Sequence, residues 1–467
     1  MELVETSVTD LLAGYRNRTI SPVEVIGGFL SRIAQVDPLL NAFSEVDAQG
    51  AMQAAAASEQ RWQKGQPLSP FDGLPASLKD QWPLQGFATR SGSLTTDPAK
   101  IATEDAPAAQ RLREGGAVFL GKTNLCEFSW NGVTRSTLKG ESRNPWNPRM
   151  NCGGSSGGAA IAAAARLSIL NVGSDGAGSI RIPAAFCGVF GFKPTYGVVP
   201  AYPQGQLINC SHTGPITRTV LEAALMLDAI TRYDPREWLA TGDPQPRYVS
   251  QLDAGVKGLR IGYSRSLAGA HANEAVTRVV DQAVRVFADQ GAILTEVDDD
   301  FPDPRPAFEV IYESSLAAGL ENFTEDQKAR LDPGLVRNGM RGFSHTAQAL
   351  IRAFAAREEL GRAMNLFHEQ FDLLITPQLA VTAFECGQDV PAQSGMREWL
   401  DWSPFTYMFN LTQQPAAAVP CGFVEGLPVA LQIVGPRHAD LRVMQAARAF
   451  EQIQPFATPV LAGIGAP

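Results

Sequence analysis

The stretch Asn151-Cys152-Gly153-Gly154-Ser155-Ser156-Gly157-Gly158, followed by the apolar segments 159–165 and 167–172 and then Gly173-Ser174-Asp175-Gly176-Ala177-Gly178-Ser179-Ile180-Arg181, decides how this chain is read. Residues 167–172 read as a buried apolar strand, and the small residues after them as the turn at its C-terminal end. Three small residues ahead of Ser179 leave successive backbone N–H groups unhindered, and such a nest can hold a developing oxyanion. Taken alone, a glycine turn after a strand is the plainer reading. Residues 153–157 also satisfy G-x-S-x-G, the nucleophile elbow, which needs a strand just before the serine and a helix after it. Residues 159–165 can supply the helix, but Arg143-Asn144-Pro145-Trp146-Asn147-Pro148 is polar and twice broken by proline, so the elbow fails upstream. None of the five histidines (212, 271, 345, 368, 438) sits beside an acidic motif that would make it a helper base.

Working outward, Ser21-Pro22-Val23-Glu24 reads as a capping box with proline at the first helical position, opening a helix through Ile26, Phe29, Leu30 and Ile33. An alanine-rich helix is expected over 48–63. From 73 to 200 the chain turns to short apolar strands broken by Gly, Pro and Ser, such as 74–78 and 117–120. Further on, 259–263 reads as a strand, and Asn273 as the cap of a helix presenting Val276, Val279, Val280, Ala283 and Phe287. Gly291 ends that helix before a strand at 293–297. A long helix over about 345–371 runs into a strand at 373–376, with further buried strands at 417–420 and 429–434. The pattern predicts an α/β fold, one large domain over 1–467 with helices around a mixed sheet. Within it lie a helical part (about 1–65), a core (about 70–235), a variable region (about 240–370) and a return to the core (about 370–460).

With 45% hydrophobic and 19% charged residues the chain is globular in composition, and Gly 43 with Pro 32 predicts many tight loops. A net charge of −9 without a run of Lys or Arg argues against nucleic acid as a partner. The opening MELVETSVTDLL has neither the basic nor the long apolar segment of a secretory signal, and no apolar run approaches the roughly 18 residues of a membrane span. The six cysteines (126, 152, 187, 210, 386, 421) lack zinc spacing, so a cytoplasmic protein with reduced thiols and no metal is expected. Residues 116–123, Gly-Ala-Val-Phe-Leu-Gly-Lys-Thr, satisfy the P-loop pattern and would imply a nucleotide-binding protein, although Ala-Val-Phe-Leu reads as a buried strand rather than an open phosphate loop.

The combination is more telling than its parts. Gly-Gly-Ser-Ser-Gly-Gly, Ser179 placed 24 residues after Ser155 within Gly-Ser-Ile-Arg, and Leu78-Lys79-Asp80 upstream together resemble the amidase signature family. The resemblance extends through Gly121-Lys122-Thr123-Asn124, Glu127-Phe128, Phe192-Lys193-Pro194-Thr195, Gly214-Pro215 and Arg218. It returns in Phe409-Asn410-Leu411, Gly426-Leu427-Pro428 and 431–435. Residues 240–370 have no residue-by-residue match.

The resemblance implies a Ser-Ser-Lys triad of Lys79, Ser155 and Ser179 on a large mixed sheet, with a cis bond from Gly154 to Ser155. Ser179 is the implied nucleophile, Ser155 the group passing a proton between Ser179 and Lys79, and Gly176, Ala177, Gly178 and Ser179 the implied oxyanion donors. Ser156, Asp175 and Arg181 are implied supports of the loop. The residue types suit the chemistry, because an alcohol needs a base within hydrogen-bond reach and a leaving amine needs a proton. A lysine does both if it is neutral, and burial behind the apolar strand 74–78 favours that form. Asp80 should not oppose this, since neighbours on an extended segment point to opposite faces. The chain departs from the family at Ala177, where glycine is usual, and at Cys152, often proline; Ala177 would be strained if that position needs positive φ.

The expectation is therefore a hydrolase cleaving an amide bond through a Ser179 acyl-enzyme, without cofactor, acting on a small-molecule amide, with esters and carbamates open to the same chemistry. Trp82, Trp130 and Trp402, with Trp399 and Phe405, are candidate pocket residues, which would favour an apolar or aryl amide. A glutaminase-type amidotransferase component working with a partner is the alternative within the family. A homo-oligomer is compatible with the sequence.

Overall fold

The computed structural model describes residues 3–205, 207–242, 246–298 and 300–461. Its centre is an 11-stranded sheet. In chain order the strands are β1 (Phe43–Val46), β2 (Pro75–Lys79), β3 (Val118–Thr123), β4 (Leu170–Asp175), β5 (Phe190–Lys193), β6 (His212–Thr217), β7 (Arg260–Tyr263), β8 (Ile293–Glu296), β9 (Leu373–Pro377), β10 (Ala416–Val424) and β11 (Leu427–Val434). They lie side by side in the order β1-β3-β2-β4-β6-β5-β10-β11-β9-β7-β8. β3, β2 and β4 run parallel, as do β9, β7 and β8, and the pairings between β4 and β9 are antiparallel. The sheet is thus mixed, as the α/β reading expected.

Strands β2 to β6 are buried along their whole length, which explains why β2, β3 and β4 read as small and apolar runs rather than as alternating ones. Because β2 and β4 are parallel neighbours, their C-terminal residues, Lys79 and Asp175, come to the same edge of the sheet. In open α/β sheets that edge is where ligands bind.

Local signals placed several elements closely. Ser21 makes the full capping box of helix Pro22–Leu40, and the alanine-rich helix spans Ala48–Gln63. Asn273 precedes helix Glu274–Ala283, yet its side chain makes no capping bond. The long helix is Ala347–Gln370, capped by Thr346 rather than begun at His345. Strands β5 and β6 escaped the sequence reading because Gly191, Gly214 and Pro215 sit inside them, and pairing with neighbours on both sides overrides those local breakers.

The P-loop reading is corrected. Residues 118–123 are β3, wholly buried between β1 and β2, and Val118 donates its N–H to Leu74 O at 2.8 Å. The lysine of the pattern, Lys122, is 2.6 Å from Asp80 and donates to Ala88 O at 3.0 Å. Nothing is left open there to cradle a phosphate.

Helices Arg305–Leu320, Pro333–Gly342 and Ala347–Gln370 come from the unmatched region. With the aromatic segment 399–411 they build a second hydrophobic cluster that reaches Ala177 and Ile182. Among the described residues, no helix is long and apolar enough to cross a membrane.

Candidate active site

Lys79 ends β2 with its side chain fully buried. Its Nζ lies 2.6 Å from Ser155 Oγ and 2.7 Å from Ser174 Oγ, and donates to both when charged. Burial pushes its pKa down to about 7, against the weaker opposing influence of Cys126 and Asp175. The neighbouring Asp80 does not relieve this, because its carboxylate is turned to Lys122. The alternation of an extended strand, legible in the sequence, thus leaves the Lys79 ammonium without a close carboxylate.

Ser155 follows a cis peptide bond from Gly154 and is itself fully buried. The glycines around it serve close packing: at Gly158, the second residue of helix Gly157–Ala164, a side chain would run into the carbonyl of Ala42 and the backbone of Asn124. Ser156 ties this segment to the next, donating its Oγ proton to Ser174 O at 3.0 Å and its N–H to Ser179 O at 3.2 Å.

After β4 the chain turns through 176–180 into helix Arg181–Cys187. Asp175, fully buried, holds the turn: it accepts from Gly178 N at 2.6 Å, from Arg181 Nε and Nη2 at 2.9 and 3.0 Å, and from Asn410 Nδ2 at 2.9 Å. Burial alone would raise its carboxyl, but the Arg181 charge and these bonds hold it well below the usual carboxylate range. Arg181 is completed by Thr406 O at 3.0 Å, Gln432 Oε1 at 2.7 Å and Asn410 Oδ1 at 2.7 Å. Asp175→Ala leaves a buried guanidinium without its counter-charge, a loss on the order of 3–5 kcal/mol. Urea unfolding is expected to show that loss, and activity to disappear with it.

The left-handed residue of the loop is Gly178, at φ +117°, and not Ala177, so alanine carries no positive-φ strain where the family usually has glycine. Ala177 is instead clamped by Thr406 Oγ1, which donates to its carbonyl at 2.6 Å. The expected donor set changes in one respect. The N–H of Gly178 is taken by Asp175, whereas those of Gly176, Ala177 and Ser179 donate to no protein acceptor among the described residues.

Ser155, Ser174 and Ser179 open on a cavity of about 190 Å³ walled by Gln81, Ser129, Trp130, Tyr312, Leu316 and Trp399, among others. No described residue lining it carries a formal charge, and no histidine reaches it. Of the candidate pocket tryptophans, Trp130 lines the cavity; Trp82 and Trp402 do not. Trp82 is packed into the main core. Trp402 is wholly buried, stacked on Phe186 at 5.7 Å and bonded through Nε1 to Asp389 O at 2.9 Å. Proximity in sequence to Lys79 and to the aromatic segment misplaced them. The sequence reading overlooked Gln81, whose Oε1 accepts from both Ser129 and Ser174 at the cavity wall, those two serines, and Tyr312, which comes from the unmatched region. Ser174 stands in the decisive stretch and Gln81 two residues past Lys79, so position was the only signal available. No group of three or more His, Cys, Asp or Glu among the described residues is placed to hold a metal ion.

The family model described as amidase matches residues 24–444. The chain belongs to the amidase family. This amidase is 35% identical over 459 residues to an acylamidase of Rhodococcus erythropolis, covering 97% of its own length and 96% of that relative. It is also 33% identical over 481 residues to a glutamyl-tRNA(Gln) amidotransferase subunit of Desulforudis audaxviator, covering 97% and 96%. Among solved structures, a bacterial aryl acylamidase of the amidase signature enzymes superposes with a TM-score of 0.90 at 28% identity, with 97% of this chain and 96% of that one covered. The amidase therefore shares with these proteins a large mixed sheet flanked by helices, and it is an amide hydrolase.

Proposed function

We propose that this amidase hydrolyses an apolar or aryl amide through an acyl-enzyme on Ser179, with Lys79 as the base and Ser155 as the relay between them. The observation that carries the reading is the buried Lys79 amine, its pKa lowered to about 7, bonded to Ser155 beside a cavity that opens on Ser179. Ser179 Oγ attacks the carbonyl carbon while its proton passes to Ser155 and the Ser155 proton to Lys79. The oxyanion is received by the unengaged N–H groups of Gly176, Ala177 and Ser179. As the C–N bond breaks, the proton held by Lys79 returns through Ser155 to the leaving amine. Water then attacks the ester carbon, releases the carboxylic acid and restores the Ser179 hydroxyl. Esters and carbamates pass through the same tetrahedral species.

The substrate class is supported by the uncharged cavity wall with Trp130, Tyr312, Leu316 and Trp399 in it. Free glutamine would bring an ammonium and a carboxylate into a space that offers a counter-charge to neither, and desolvating unpaired charges is costly. Apolar surface buried there gains about 25 cal/mol per Å². The isolated chain is expected to prefer para-nitroacetanilide to glutamine in kcat/KM by about a hundredfold or more. A preference for glutamine, or one that appears only with a partner protein, would transfer the amidase to the amidotransferase reading.

A further inference from the structure

The hydroxyls around Lys79 have a direction that the three residues Lys79, Ser155 and Ser179 do not set by themselves. Ser174 Oγ, 2.7 Å from Lys79 Nζ, donates its proton to Gln81 Oε1 at 2.9 Å, and Ser129 Oγ donates to the same oxygen at 2.9 Å. A hydroxyl has one proton to give. With that proton committed to Gln81, Ser174 meets Lys79 only as an acceptor. When Lys79 loses its charge it keeps two N–H donors and one lone pair, and for that lone pair to take a proton one of its two hydroxyl partners must turn its own proton toward it. Ser174 cannot.

We propose that Gln81 is a positioning residue which, through Ser174, turns the lone pair of neutral Lys79 toward the Ser155 hydroxyl and so fixes the direction of proton transfer from Ser155 to Lys79. The inference rests on the reading of Lys79 as the base. Gln81 does this without adding charge: the groups acting electrostatically on Lys79 are Cys126 and Asp175, the latter paired with Arg181, while Asp80 is paired with Lys122. Gln81 also lines the cavity, its Nε2 lying on the side of Gly205, so one amide serves both the base and the wall of the substrate space.

The test measures kcat and KM for para-nitroacetanilide against pH in Gln81→Leu, Gln81→Glu, Ser174→Ala, Ser174→Thr and the Gln81→Leu/Ser174→Ala double variant, with Lys79→Met as reference. Gln81→Leu frees the Ser174 proton to compete with Ser155 for the lone pair, so kcat is expected to fall by about tenfold or more, over and above any change in KM from the altered cavity wall. Gln81→Glu keeps shape and acceptor but brings an anion near Lys79, so its acid limb is expected to move to higher pH. Ser174→Thr retains the hydroxyl and is expected to retain activity. The double variant is expected to be no slower than the slower single one, because both act through one bond. Additive losses, an effect of Gln81→Leu on KM alone, or an unshifted pH profile in Gln81→Glu would overturn the role of Gln81 while leaving Lys79 in place. Full activity in Lys79→Met would instead overturn the proposed function itself.

Discussion

A fluorophosphonate is expected to add a single phosphonyl group to this amidase, on Ser179, and Ser179→Ala to take up none. The environment separates the two candidate serines. Ser155 is fully buried, its Oγ held at 2.6 Å by Lys79, whereas Ser179 retains 9% exposure on the cavity at the start of a helix-forming turn. Gly176, Ala177 and Ser179 line the same cavity with backbone N–H groups that no described acceptor engages, so a tetrahedral adduct on Ser179 is expected to gain stabilisation that one on the buried Ser155 lacks. Turnover in Ser179→Ala is expected to fall by about 10³-fold or more, leaving only what binding and the oxyanion donors supply. Intact-mass measurement and peptide mapping decide the matter. An adduct mapped to Ser155 would reinstate the nucleophile-elbow reading of residues 153–157.

Replacing Lys79 by methionine should cost about 10²–10⁴-fold in kcat/KM, the usual contribution of a positioned general base. In the parent enzyme kcat/KM should rise with pH along an acid limb centred near about 7, because only the unprotonated amine can take the Ser155 proton and burial lowers its pKa to that value. The same shift has a consequence for stability. In the unfolded chain the lysine binds its proton up to its ordinary value of 10.5, but in the fold only up to about 7, so between those limits stability falls as pH falls. Lys79→Met removes this penalty with a side chain of similar length, and its melting temperature at neutral pH is expected to equal or exceed that of the parent. A Lys79→Met enzyme with parental turnover would remove lysine as the base. A variant both inactive and markedly less stable would show that the ammonium is a structural prop.

Local chemistry made much of this molecule legible. The Ser21 capping box, the alanine-rich helix and the strand before the glycine turn are written in residues adjacent or a few positions apart, and so is the alternation that parts Lys79 from Asp80. The resemblance carried by 153–158 and 176–181 added the remote Lys79, which no spacing argument would have joined to two serines. Where the sequence misled, the cause was distance along the chain. Trp82 and Trp402 were displaced from the pocket by packing against residues far away in the chain.

By itself, then, the sequence determined the α/β class and the helices with strong end signals, since these rest on short-range periodicity, while the triad is what the resemblance implies. Only the tertiary structure decided which atoms meet at the parallel ends of β2 and β4. It brought Lys79 to Ser155 and Ser174, Ser129 and Ser174 to Gln81, and Tyr312 and Trp399 to the cavity wall. Those contacts join side chains tens to hundreds of residues apart, and they form because a sheet buried on both faces must pair its strands and satisfy its polar groups across the whole chain.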